Sequence, residues 1–220
     1  MPRPRRIIDD TTAHDPQLRA RLKTHLEQRL ASGTATQWPP LIVDELALAY
    51  GAVRADVALI GARFEGFEIK AGRDTMVRLP RQMQAYDEVF ERSWAVTVER
   101  HHDKVAALLP SWWGLLVTLD GQGDASPLVV VREARDNPML DSAQLARLLW
   151  REEALALLEA QGLLTKALNR RPKLALFAAL SQANEAGAMA ALVRDVLRQR
   201  TGWRDEAGAS TLTKNAKRAP

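Results

Sequence analysis

Glu45, Asp56, Glu68 and Lys70 are the side chains whose types and spacing could do chemistry. In the stretch FEGFEIKAGRD, residues 64 to 74, Phe67 and Ile69 alternate with Glu68 and Lys70, the period of a half-buried strand. A carboxylate and an ammonium on a buried face are costly unless they are paired or bound to something. The ordinary reading is a solvated face with an ion pair. The chemical reading is hydrolysis of a phosphodiester, which needs a metal-activated water, a neutralised phosphate and a stabilised leaving oxygen. Magnesium is satisfied by one or two carboxylates together with water and phosphate oxygens. Asp56 and Glu68, on adjacent strands and facing the same way, would supply those carboxylates. Lys70, about 6.6–7 Å further along the same face, would orient the attacking water or stabilise the pentavalent phosphate. Glu45 would join the metal shell or hold Lys70.

These residues depend on their elements for position. DPQLRARLKTHLEQRL reads as a helix, with Asp15 as N-cap, Pro16 in the first turn and leucines at 18, 22, 26 and 30. LIVDELALAY and RADVALIG, joined by a turn at GAV, read as an extended pair, and RFEGFEIKA as a third strand. Val57, Leu59, Phe67 and Ile69 then face one core, and Asp56, Ala58, Glu68 and Lys70 the other side. A helix follows from about Leu79 to Phe90, with Leu79, Met83, Tyr86 and Phe90 as its seam. SWAVTVE is a fourth strand, HHDKVAALLP a short helix, and GLLVTLD with PLVVVREA a hairpin turning at Gly121–Ser126. From Ser142 onward no strand signal remains. One long helix is predicted to Gly162, a second from Arg171 with Pro172 in its first turn, and a third over EAGAMAALVRDVLRQR. The fold class is α/β: a mixed central sheet flanked by helices over residues 1–136, an all-helical extension over 137–204, and a disordered basic tail over 205–220.

Glu45, Asp56, Glu68-Ile69-Lys70 and Gln82-x-x-x-Tyr86, in that order on these elements, resemble the PD-(D/E)XK nuclease superfamily. The likeness is greatest to its RecB-like members and to a small bacterial family with DEL, RADVA, EIK, RLPRQ, YD.VF and P.WWG segments. It spans roughly residues 40 to 116. The resemblance implies a restriction-endonuclease-like core, Mg²⁺ or Mn²⁺ as cofactor, and hydrolysis of DNA. It implies Asp56, Glu68, Glu45 and the Ile69 carbonyl as metal ligands, Lys70 as the catalytic lysine, and Gln82 and Tyr86 near the active site and the DNA backbone. The position before Asp56 departs from the pattern: the chain reads RAD, without proline. The rival expectations are a catalytically silent DNA- or protein-binding module of the same fold, and an RNA nuclease.

The rest of the chain narrows the class. The 220 residues contain no cysteine, which removes disulfides, thiolate metal sites and cysteine nucleophiles. No apolar run reaches membrane-spanning length and MPRPRRIIDD lacks a signal-peptide core, so the expected location is the cytoplasm. The net charge of +4 fits a polyanionic partner. Arg73, Arg78 and Arg81 follow the third strand and could meet phosphates. Arg170, Arg171 and Lys173 sit in a basic connection between leucine-rich helices that loosely resembles a SAP motif, with a plain helical cover as the alternative. His101 and His102, adjacent and so pointing apart, read as surface or capping residues, and Trp112 and Trp113 as packing anchors. DNA, single- or double-stranded, is the expected partner, and a homo-oligomer or larger complex is compatible with the sequence.

Overall fold

The computed structural model describes residues 15–31, 39–70, 76–119 and 127–200. In chain order the elements are α1 (Asp15–Ala31), β1 (Leu41–Leu48), β2 (Val53–Ile60), β3 (Phe64–Lys70), α2 (Leu79–Asp87), β4 (Arg92–Val98), α3 (His102–Ala106), β5 (Gly114–Thr118) and β6 (Leu128–Arg132). The helices α4 (Ser142–Ala146), α5 (Arg151–Ala160), α6 (Lys166–Asn169), α7 (Lys173–Ala183) and α8 (Ala186–Gln199) follow. The expected α/β core with a helical extension is therefore present. The strands form one mixed sheet in the order β1-β2-β3-β4-β5-β6. The β1–β2–β3 run and the β5–β6 pair are antiparallel; β3, β4 and β5 run parallel, with α2 and α3 in the crossovers. Every residue of β3 is buried, as expected of a strand covered on both faces.

The leucine spacing of α1 places Leu18, Leu22 and Leu26, all fully buried, over Val57, Leu59, Phe67, Ile69, Trp94 and Val96. The opposite face packs on Tyr86 and Phe90 and on the helical extension. Leu145, Leu149, Leu158, Leu176, Phe177, Leu180 and Met189 share one apolar cluster there with Ala58, Phe64, Ala95 and Leu115. The expected boundary between 136 and 137 thus divides elements that fill a common core. The expected tail over 205–220 and the turn at Gly121–Ser126 lie outside the described residues.

The long helix expected from Ser142 to Gly162 is two helices. The backbone at Trp150 is extended (φ −77, ψ 164), and the Glu153 carboxylate accepts the Trp150 N–H at 2.6 Å. Arg200 fixes the break by donating to Glu153 and to the Leu148 carbonyl. Apolar residues on every side of LARLLWREEALALL hide this interruption from periodicity. Smaller shifts have local causes as well. The α2 helix stops at Asp87, Pro172 precedes α7 instead of entering it, and the β1–β2 turn falls on Ala49–Gly51, two residues before GAV.

The hairpin of β1 and β2 carries the geometry that matters most. Glu45 has a left-handed backbone (φ 53), and alternation slips there. Leu41 and Val43 before it, and Leu46 and Leu48 after it, all reach the same core. The β2 strand slips in step around Asp56, with Ala55 and Ala58 in that core and Val57 in the other. Only Val57–Ile60 of β2 pair with β3, while Val53–Ala55 continue beside β1 alone. The sheet therefore parts between β2 and β3 just where Glu68, Ile69 and Lys70 lie.

Candidate functional site

The parting of β2 from β3 leaves backbone groups of β3 without strand partners, and side chains take their place. Asp56 Oδ2 accepts the Ile69 N–H at 2.7 Å. The Tyr86 hydroxyl, brought by the second turn of α2, accepts the Asp56 N–H at 3.2 Å and donates to the Phe67 carbonyl at 3.1 Å. Burial first, and then the charges of Glu68 and Asp56, push the Tyr86 phenol well above its ordinary pKa. It therefore stays protonated and keeps the donor that this bridge needs.

Beside this stitch lies a cleft of about 380 Å³, lined by Glu45, Ala52, Val53, Arg54, Asp56, Glu68, Ile69, Lys70, Arg78, Arg81 and Gln82. Lys70 Nζ donates to Glu68 Oε1 at 2.8 Å and to Gln82 Oε1 at 2.9 Å. The solvated-face reading of Glu68 and Lys70 is overturned, because they are 1% and 4% exposed. Gln82 reaches them one turn ahead of Tyr86 on α2, so the helix delivers both of its polar side chains to the same wall.

Sequence reasoning missed Arg19. This residue of α1 crosses the sheet edge to bond Glu45 Oε1 at 2.8 Å and the Asp56 backbone carbonyl, and it lies 3.4 Å from Asp56 Oδ1. It also lies 3.6 Å from Asp44, which bonds Lys23 one turn further along α1. The i, i+4 spacing of Arg19 and Lys23 on this leucine-patterned helix is the signal that could have found them. The carboxylates of the cleft are thus matched by cations from the chain itself.

The other candidates distribute as follows. Arg78 and Arg81 line the cleft and are exposed, as is Arg54 on the opposite lip; among the described residues none of the three forms a salt bridge. Arg73 lies outside the described residues. Arg170 and Arg171 in the connection from α6 to α7, and Lys173 at the start of α7, are exposed, and none lines the cleft. The Arg171 carbonyl accepts from Arg151, and Lys173 lies over the Phe177 ring. His102 pairs with Asp103 at the surface. Trp113 is fully buried, and it and Trp112 both donate to Asp87 Oδ1, at 2.7 and 3.1 Å. Burial raises the Asp87 pKa against the lowering effect of those two bonds. The tryptophan pair therefore anchors α2 to β5. Among the described residues, no group of three acidic or histidine side chains could hold a metal ion.

Residues 10–216 match the family described as bacteriophage P4 protein cII. A solved structure described as the SPO1766 protein of unknown function from Silicibacter pomeroyi is 24% identical. The match covers 69% of this chain and 92% of that one, with a TM-score of 0.44. No curated protein matches.

Proposed function

The chain belongs to the bacteriophage P4 protein cII family, and we propose that its cleft binds the phosphate backbone of a nucleic acid. The observation that carries this reading is the cleft's cationic lip. Arg54, Arg78 and Arg81 are exposed and line it, free of salt bridges among the described residues. Guanidinium groups grip phosphate oxygens bidentately, and in water they lose little on exchanging solvent for phosphate.

The expected Mg²⁺ or Mn²⁺ does not fit this donor set as it is arranged. Asp56 spends one oxygen on the Ile69 amide and turns the other toward Arg19, Glu45 bonds Arg19, and Glu68 bonds Lys70. A dication brought into that network would have to displace cations the chain already supplies. Binding without hydrolysis is therefore the reading the geometry supports best. The second reading is a metal-dependent nuclease, and one observation favours it: Glu45, Asp56, Glu68, Lys70 and Gln82, on four separate elements, line a single cleft. In that reading DNA, or RNA, is substrate as well as ligand.

The test is fluorescence anisotropy with labelled single-stranded DNA, duplex DNA and RNA across several salt concentrations, for the wild type and for Arg78→Ala/Arg81→Ala. The double variant should bind more weakly. Its salt dependence should flatten by about 0.9 log units per lost contact on duplex DNA and about 0.7 on single strands. An unchanged slope, or no binding by the wild type at low salt, refutes the proposal. Incubation of the same oligonucleotides with Mg²⁺, Mn²⁺ or EDTA separates the readings, since metal-dependent cleavage would select the nuclease.

A further inference from the structure

The tip of the β1–β2 hairpin carries a side chain that the core does not need. Tyr50 is 63% exposed, and its backbone is left-handed (φ 58, ψ 29), as is that of Ala49 beside it. Such turns favour asparagine and glycine, and a bulky side chain there is strained. The Arg147 guanidinium lies over one face of the Tyr50 ring, 4.9 Å from its centroid, and bonds Gln144 at 2.9 Å. Three residues further along the same connection, Trp150 is 45% exposed. Arg200 covers it at 4.4 Å and is itself held by Glu153. Both rings are thus braced by a fixed guanidinium on one side while much of their surface stays in water. Tyr50 is also two residues from Ala52 and four from Arg54, which line the cationic cleft.

We infer that Tyr50, backed by Arg147, and Trp150, backed by Arg200, form a base-stacking platform for a single strand of nucleic acid leaving the cleft. The inference rests on the cleft being a phosphate-backbone site, and it adds the strandedness of the ligand. Aromatic rings accept any base on their faces, whereas paired bases in a duplex keep their faces stacked on one another. The arginines stiffen the rings and hold them in place. On this reading phosphates meet Arg54, Arg78 and Arg81, and unpaired bases meet Tyr50 and Trp150.

The experiment measures the affinity of the full chain for a labelled single-stranded oligonucleotide and for the matching duplex, using Tyr50→Ala, Trp150→Ala, Tyr50→Phe and Arg78→Ala/Arg81→Ala. Each alanine variant at a ring should weaken single-strand binding by about five- to a hundredfold, the range for one lost base stack. Duplex binding should stay unchanged, and Tyr50→Phe, which keeps the ring, should bind as the wild type does. Circular dichroism melts guard against a folding artefact, and Tyr50→Phe provides a second check because it alters only a hydroxyl. Wild-type single-strand affinity in both alanine variants, or equal losses on single strand and duplex, overturns the platform. If the arginine variant still loses binding in that case, the cleft reading survives the platform's failure. If no nucleic acid binds at all, both fall.

Discussion

Removing the Lys70 ammonium should cost far more stability than the loss of one surface charge would. Seen from sequence, Lys70→Ala is a mild change that silences chemistry and leaves the fold intact. In the structure Glu68 is 1% exposed and its Oε1 lies 2.8 Å from Lys70 Nζ, so alanine would take that ammonium away from a carboxylate at that depth. Breaking a buried pair from one side costs about 3–5 kcal/mol. At about 2–4 °C per kcal/mol for a chain of this size, the melting temperature should fall by about 6–20 °C. Replacing both partners, as in Glu68→Leu/Lys70→Met, should recover most of the loss, because neither charge is then buried. A buried carboxylate that loses a neighbouring cation titrates upward, so the protonated and less costly form gains as pH falls. The deficit of Lys70→Ala relative to the wild type should therefore narrow in acid. Calorimetric melts of the two variants and the wild type over a pH series provide the measurement. A fall of less than about 2 °C at neutral pH, under about 1 kcal/mol, would refute the claim that the pair is desolvated.

Three further outcomes follow from the packing and the charge distribution. A Cβ on Gly66 in β3 would stand 2.3 Å from the Phe90 ring, so Gly66→Ala should destabilise by about 1–3 kcal/mol in urea unfolding. Gly187→Ala, where nothing lies within 4 Å, should be neutral or stabilising. His25 has a pKa lowered from 6.5, first by burial and then by Arg29, so folding favours its neutral form. Its contribution is complete above 6.5 and is lost as pH falls through the lowered value; urea midpoints of the wild type should drop over that window more than those of His25→Gln.

Much of the core was legible because period two and leucine spacing are strong signals. They placed Val57, Leu59, Phe67 and Ile69 on one side and Glu68 with Lys70 on the other, and each lies there. Trp113 and Leu79 were likewise legible as buried anchors. The break at Trp150 was not, since it depends on Arg200 reaching back to Glu153 across the fold. Nor was the pairing of Arg19 with Glu45 and Asp56, since the sequence offers many arginines and only the crossing of α1 selects this one. The left-handed backbone at Glu45 and Tyr50 had no residue signature at all, because neither position carries glycine or asparagine.

The shared core also has a consequence for synthesis. One face of the sheet is completed by Leu176, Phe177, Leu180, Met189, Val193 and Leu197, which leave the ribosome after every strand has emerged. At about 5–20 residues per second, the strands wait for several seconds with that apolar face uncovered. During this interval Val43, Leu46 and Phe64, which later share one core with residues of α7 and α8, lack that cover and are open to other nascent chains. The opposite face has no such delay, since α1 precedes the strands it covers and is ready when they pair. Yield in cells should thus depend on how quickly translation crosses the last helices and on what holds the naked face until then.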